Sequence, residues 1–127
     1  MIVSIYASIL ALFFVVLSIR TIRLRRELQI GVGDGGSEQM LRAMRVHSNF
    51  AEYVPLCLLL IYIVESSGAN SLFVHLLGVF LIIGRFSHAY GVSKQKENYR
   101  FRVFGMSMTF TTLIVSSLSL IYYYFTG

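Results

Sequence analysis

Residues 42–55 read RAMRVHSNFAEYVP and place polar side chains directly before the apolar segment Leu56–Val64. Successive residues of an α-helix turn by about 100°, so four of these polar residues fall on one narrow face. They are Arg42, Arg45, Asn49 and Glu52. Charged groups at the start of a membrane-length helix raise its free energy in the membrane unless they face a partner, a cavity or a ligand. We therefore interpret this polar face as the centre of the molecule's chemistry.

Composition identifies the class of protein. The 127-residue chain is 56% hydrophobic and only 13% charged, and its mean hydropathy is +0.70. A soluble domain is near half apolar and about a quarter charged, so we infer an integral membrane protein. At about 20 residues per span plus loops, residues 1–127 predict a single all-α domain, a bundle of four membrane helices. Four short helices enclose little volume, so a sizeable ligand site would form more easily between subunits.

The predicted spans are separated by short polar turns. Residues 31–36 form a glycine-rich turn that lacks the GK[ST] signature of a phosphate-binding loop. Ser37 or Asp34 is placed to cap the second helix, and Pro55 is expected to bend it. The fourth span is rich in serine and threonine, which let helices approach closely in lipid. The spans cover Ile2–Ser18 with an arginine-rich extension through Arg26, Glu38–Glu65, Leu72–Tyr90 and Tyr99–Phe125.

The basic residues predict a topology. The formal net charge is +5, and every lysine and arginine lies within residues 20–45 or 85–102. Because both clusters flank apolar spans, the positive-inside rule explains them better than nucleic-acid binding does. We predict cytoplasmic basic loops, both termini on the opposite side, and a bacterial inner membrane. The single cysteine, Cys57, is expected to be a buried, inert thiol, and no histidine, cysteine or acidic cluster has metal-ligand spacing.

The candidate polar groups converge on the basic end of the predicted bundle. Several guanidinium groups accompany one deeply placed carboxylate, Glu52, and this excess of positive charge favours an anionic ligand. Simpler interpretations stay open. Arg85 and Glu52 could form a structural ion pair, and the arginines of the first helix could anchor to lipid headgroups. His47 could sit at a neighbouring interface, and His88 could satisfy an interhelical hydrogen bond.

The pattern Arg45-x-His47-x-Asn49-x-x-Glu52-Tyr53 on the second helix resembles the signature of the MAPEG family. These are membrane-associated proteins in eicosanoid and glutathione metabolism, and they include microsomal glutathione transferases, leukotriene C4 synthase and prostaglandin E synthase. The resemblance covers essentially the whole chain. Length and four-span layout agree, as do the arginine-rich end of the first helix, the Arg85-x-x-His88 pair and an arginine that opens the fourth helix.

The resemblance implies a homotrimer that binds glutathione between neighbouring subunits near the cytoplasmic face. Arginine side chains would bind the glutathione carboxylates through forked hydrogen bonds. Glu52 would bind the ammonium group, and Asn49 would form a hydrogen bond with the peptide backbone. An arginine near the start of the fourth helix would favour the thiolate, the reactive nucleophile. For this catalytic role we prefer Arg102 to Arg100, because Arg102-Val-Phe-Gly105 leads directly into the apolar span. The implied glutathione contacts are Arg23, Arg45, His47, Asn49, Glu52, Tyr53, Arg85, His88 and Tyr90.

The implied reaction is conjugation of glutathione thiolate to a lipophilic electrophile from the bilayer lipids, with peroxide reduction as a further activity. The chain departs from relatives that carry a tyrosine one turn after the helix-three histidine, because Val92 stands at that position, with Tyr90 nearby. The main alternative is a non-catalytic member that binds a lipid or glutathione. A small four-helix transporter would need a carboxylate in the first span, and Met1–Leu17 carries no charge. A purely structural protein would leave the inward arginines unexplained.

Overall fold

The computed structural model describes every residue from Met1 to Gly127, as four helices joined by short turns. Helix α1 spans Val3–Leu28, α2 spans Glu38–Ser66, α3 spans Ser71–Ser93 and α4 spans Tyr99–Thr126. Each helix is long and apolar enough to cross a membrane. The predicted all-α class and the four spans are therefore confirmed. The arginine-rich extension of the first span is helical through Leu28, and α2 continues through Pro55.

Local sequence explains where the helices begin. The Ser37 side chain caps α2 by accepting a hydrogen bond from the backbone N–H of Met40 at 3.2 Å. Asparagine side chains cap α3 and α4 in the same way, at Asn70 and Asn98. The glycine-rich segment between α1 and α2 is a turn, as predicted. Three of its glycines have positive φ, between 58° and 78°, a conformation that other residues adopt only with strain.

Helices α2 and α3 each pack against all three other helices, whereas α1 and α4 do not contact each other. The main apolar cluster joins α1, α2 and α3 through side chains such as Leu10, Ile61 and Leu81. Cys57 is fully buried in this cluster as a free thiol, in agreement with its predicted structural role. The polar face of α2 is held in place by this core.

The closest helix contact is that between α3 and α4, where Gly84 faces Gly105. A Cβ atom at Gly105 would lie 2.5 Å from the Gly84 carbonyl oxygen and 2.6 Å from the His88 backbone nitrogen. The buried hydroxyl of Thr109 bonds to the Gly105 carbonyl of its own helix at 2.9 Å. The predicted close approach of α4 is confirmed, although glycines make the tightest contact and the hydroxyl groups line it.

The outer face of α1 exposes apolar side chains, including Leu12 at 69% and Val16 at 59% of their surface. A continuous apolar surface of this kind requires lipid or another protein copy to cover it. At the end of the bundle that holds the chain termini, the Glu65 carboxylate accepts the backbone N–H groups of Ile2 and Val3. This contact ties the start of α1 to the end of α2.

Candidate functional site

A groove of about 510 Å³ opens beside the polar face of α2 at the basic end of the bundle. We call it the α2–α4 groove, because α2 and α4 supply its charged side chains. The face that the sequence predicted from helical periodicity does line a cavity. The groove is bounded by Glu38, Leu41, Arg42, Arg45, Ser48, Asn49, Glu52, His88, Val92, Arg102 and Met106.

Arg85 lies directly behind this groove and is 1% exposed. It donates to the Asn49 side-chain oxygen and, at 3.3 Å, to the Thr109 hydroxyl. The Arg85–Glu52 ion pair, one of the simpler interpretations of the sequence, does not form. Glu52 is exposed on the groove side and makes no ion pair. Because Arg85 can only donate, it fixes the Asn49 amide with its oxygen inward. Asn49 therefore presents its N–H₂ group as a donor.

Glu97 binds two of the arginines that line the groove, and it is not among the residues predicted from the sequence. Its side chain is 1% exposed and lies between two arginines. It accepts the Nε of Arg102 at 2.8 Å, the Nη2 of Arg102 at 2.5 Å and the Nη1 of Arg42 at 2.9 Å. Arg42 is held further by Glu38 and by the Val92 carbonyl oxygen, each at 3.1 Å. The only signal for Glu97 in the sequence is that it is the single acid in the turn 93–98.

The two candidate catalytic arginines differ in position. Arg102 lines the groove, with 40% of its side chain exposed and its guanidinium 5.3 Å from the Tyr99 ring centre. Arg100 is exposed, forms no ion pair and lies outside the groove. Among the two, only Arg102 shares a cavity with Arg45, Asn49 and Glu52.

The predicted contacts of α2 and α3 are only partly gathered in the groove. His88 is buried at its wall, and its Nδ1 atom has no hydrogen-bond partner. Tyr53 packs edge-on against Phe110 and does not line the cavity. Tyr90 is exposed on another face of α3, where Lys94 lies 4.4 Å from its ring centre.

Arg23 and His47 lie on a different side of α2. Arg23 lines a second groove, of about 600 Å³, between α1, α2 and the end of α3, which we call the α1–α2 groove. His47 packs between α1 and α2, where its Nε2 lies 3.0 Å from the Ser18 hydroxyl and its ring stacks on Phe14. The α1–α2 groove is the larger of the two but holds only Arg23 of the predicted site residues. The predicted glutathione contacts are therefore not gathered in one cavity. Arg23 and His47 lie on one side of α2, Tyr53 and Tyr90 line neither groove, and the others lie at or directly behind the α2–α4 groove.

Comparison with known proteins agrees with this architecture. The MAPEG family model matches residues 3–122. The chain is also similar to the Inner membrane protein YecN of Escherichia coli strain K12 and to the same protein of Escherichia coli O6:H1. Both are 34% identical to it over 123 residues, which cover 97% of this chain and 92% of each relative. With four membrane-length helices and a family match across nearly its whole length, the chain belongs to the MAPEG family.

Proposed function

We propose that this protein is a glutathione-dependent transferase of a bacterial inner membrane, which joins the glutathione thiol to a lipophilic electrophile. The observation that carries the proposal is the α2–α4 groove. It brings Arg45, Asn49 and Glu52 of α2 together with Arg102 of α4 at the basic end of the bundle. The similarity to an inner membrane protein supports the location, and the positive-inside rule supports cytoplasmic basic loops.

The polar groups of the groove match those of glutathione. The guanidinium of Arg45 suits a carboxylate, because the two form charge-assisted, forked hydrogen bonds. Glu52 is unpaired within the chain and suits the ammonium group, and the inward-held oxygen of Asn49 leaves its N–H₂ for a peptide carbonyl. A volume of about 510 Å³ lies within the range of about 300–1,000 Å³ that is usual for small-molecule sites.

Arg102 is the residue that would contact the sulfur of bound glutathione. A nearby guanidinium favours the thiolate over the thiol, and the thiol proton leaves to solvent. The thiolate then attacks the electrophile, so that a sulfur–carbon bond forms as a leaving group departs or as the adduct takes a proton from water. Just beyond Arg102, the apolar residues Val103 and Phe104 are 61% and 49% exposed. They give the electrophile an apolar approach from the bilayer.

The division of the predicted residues supports a cyclic homotrimer. Arg23 and His47 face away from the α2–α4 groove of their own chain, so they reach a glutathione molecule only if a second copy presents them. A ring in which one face of each copy meets a different face of the next does this at every contact. A two-fold dimer would instead pair identical faces. The exposed apolar face of α1 is the surface available for such a contact.

One observation favours a second candidate, a family member that binds glutathione without reacting it. The charge of Arg102 is already paired with Glu97, and a paired guanidinium stabilises a thiolate less than a free one. The two candidates differ in the state of the bound thiol. Thiolate absorbance in the ultraviolet at neutral pH supports the enzyme, and its absence from a complex that does form supports the binder.

The experiment that tests the proposal is calorimetric titration of glutathione into the detergent-purified protein. We expect micromolar to millimolar affinity that Glu52→Gln and Arg45→Ala abolish. Arg26→Ala serves as the matched control, because Arg26 is exposed at the same end of the bundle and outside both grooves. No binding by folded wild-type protein would refute the glutathione assignment. Equal losses in all three variants would show a general charge effect instead of a site.

A further inference from the structure

We propose that Glu97 is a positioning residue, which holds the Arg102 guanidinium in the orientation that meets the thiol of bound glutathione. The inference rests on the proposed function and adds a residue to it. It starts from a contrast in burial: the Glu97 side chain is 1% exposed, whereas the Arg102 side chain that it holds is 40% exposed. A solvent-accessible arginine needs no buried acid to compensate its charge. The pairing with Arg102 therefore fixes a conformation, whereas the charge of the buried carboxylate is balanced by Arg42, whose side chain is only 17% exposed.

The contact has the geometry of a clamp. The two carboxylate oxygens of Glu97 take Nε and Nη2 of Arg102 at 2.8 and 2.5 Å. This forked arrangement sets the plane of the guanidinium and leaves Nη1 without a partner in the chain. The clamp is anchored in turn, because the Nη1 of Arg42 on α2 donates to the same carboxylate at 2.9 Å. Glu97 thereby links the turn before α4 to the polar face of α2.

Without this clamp Arg102 has many conformations. A long side chain with several rotatable bonds loses rotamer freedom when it is ordered, and Glu97 supplies that order before any ligand arrives. Reacting groups must be held closely, since a displacement of about 1 Å can lower a rate about 100-fold. The turn that carries Glu97 thus prepares α4 for the thiol.

The sign of one variant's effect separates positioning from simple charge balance. Glu97→Gln removes a negative charge beside Arg102. If Glu97 only offset positive charge, its loss would raise the positive potential of the groove and increase the fraction of bound thiolate. If Glu97 positions Arg102, its loss frees the guanidinium and decreases that fraction.

The experiment follows the ultraviolet absorbance of bound glutathione thiolate against pH, together with kcat and KM for an aryl halide electrophile. In Glu97→Gln we expect the thiol to titrate at higher pH and kcat to fall about 10- to 100-fold, with a smaller change in KM. Glu97→Asp keeps the charge and should recover part of the loss. The matched control is Glu65→Gln, since Glu65 also accepts two hydrogen bonds but at the opposite end of the bundle. It should lower thermal stability and leave the titration of the thiol unchanged.

A double-mutant cycle completes the test. If Glu97 acts through Arg102, Glu97→Gln should cause no further loss in a chain that already carries Arg102→Ala. Additive losses, or a thiolate fraction that stays the same or rises in Glu97→Gln, would overturn the inference while the proposed function stands. If Glu97→Gln does not fold, Glu97→Asp alone and in the Arg102→Ala background gives the same comparison. Wild-type protein that binds no glutathione would overturn the proposed function and this inference with it.

Discussion

The contact of α3 with α4 at Gly105 lends itself to a direct test by Gly105→Ala. The added methyl group would lie 2.5 Å from the Gly84 carbonyl oxygen, 2.6 Å from the His88 nitrogen and 2.8 Å from the His88 Cβ. The first two are backbone atoms, which cannot rotate away as a flexible side chain can. Overpacking of this kind lowers the free energy of unfolding by about 1–3 kcal/mol. The higher helix propensity of alanine relative to glycine raises it by about 1 kcal/mol. Because these contacts are with backbone atoms, the upper end of the overpacking range applies, and the expected net loss is about 2 kcal/mol.

The strain should also reach the candidate site. To accept the methyl group α4 must move away from α3, and Arg102 moves with α4 relative to Arg45 on α2. We therefore expect Gly105→Ala to lower both the melting temperature in detergent and the affinity for glutathione. Gly31→Ala is the control, because nothing lies within 4 Å of its added Cβ. A Gly105→Ala protein that melts and binds like the wild type would refute the close contact on which this reasoning depends.

Three further outcomes are expected. Arg102→Ala should abolish glutathione thiolate formation while Arg100→Ala retains it, since only Arg102 lines the groove; equal thiolate absorbance in the two variants would contradict this assignment. Asn49→Ala should lower the free energy of unfolding by about 1.5–3 kcal/mol, because it removes the acceptor of the Nη2 group of the buried Arg85; an unchanged melting curve would argue against that bond. Ser37→Ala should cost about 1 kcal/mol through loss of the α2 cap, with glutathione affinity unchanged, as thermal melting and calorimetry would show.

Periodicity was sufficient to predict the part of the site that lies on a regular helix. Arg45, Asn49 and Glu52 share a face because helical spacing dictates it, and the structure has a groove beside that face. The four helices follow equally directly from their apolar runs. Periodicity does not predict His47 as part of this site. His47 lies two residues after Arg45 and therefore points about 200° away from it around the helix. Only the family resemblance grouped His47 with the other residues.

The sequence does not predict two kinds of contact. One kind depends on the depth of a side chain in the bundle, and the other involves a residue in an irregular turn. Arg85 pairs with Asn49 instead of Glu52, because helix spacing gives the direction of a side chain and not its distance from a neighbouring helix. Glu97 lies in the turn before α4, where no repeat relates sequence position to direction. Its partners become visible only when α2 and α4 are brought together.

The placement of the two grooves on separate faces of α2 has a genetic consequence. In the proposed ring, a glutathione site lies at each junction, that is, between two neighbouring copies. It takes Arg23 from one copy and the polar face of α2 from the next. A chain with Arg23→Ala keeps an intact polar face, and a chain with Glu52→Gln keeps an intact Arg23. Neither alone would form a working junction, but a ring that mixes the two contains one junction with both intact halves. Co-expression of two inactive alleles should therefore restore part of the activity, as intragenic complementation.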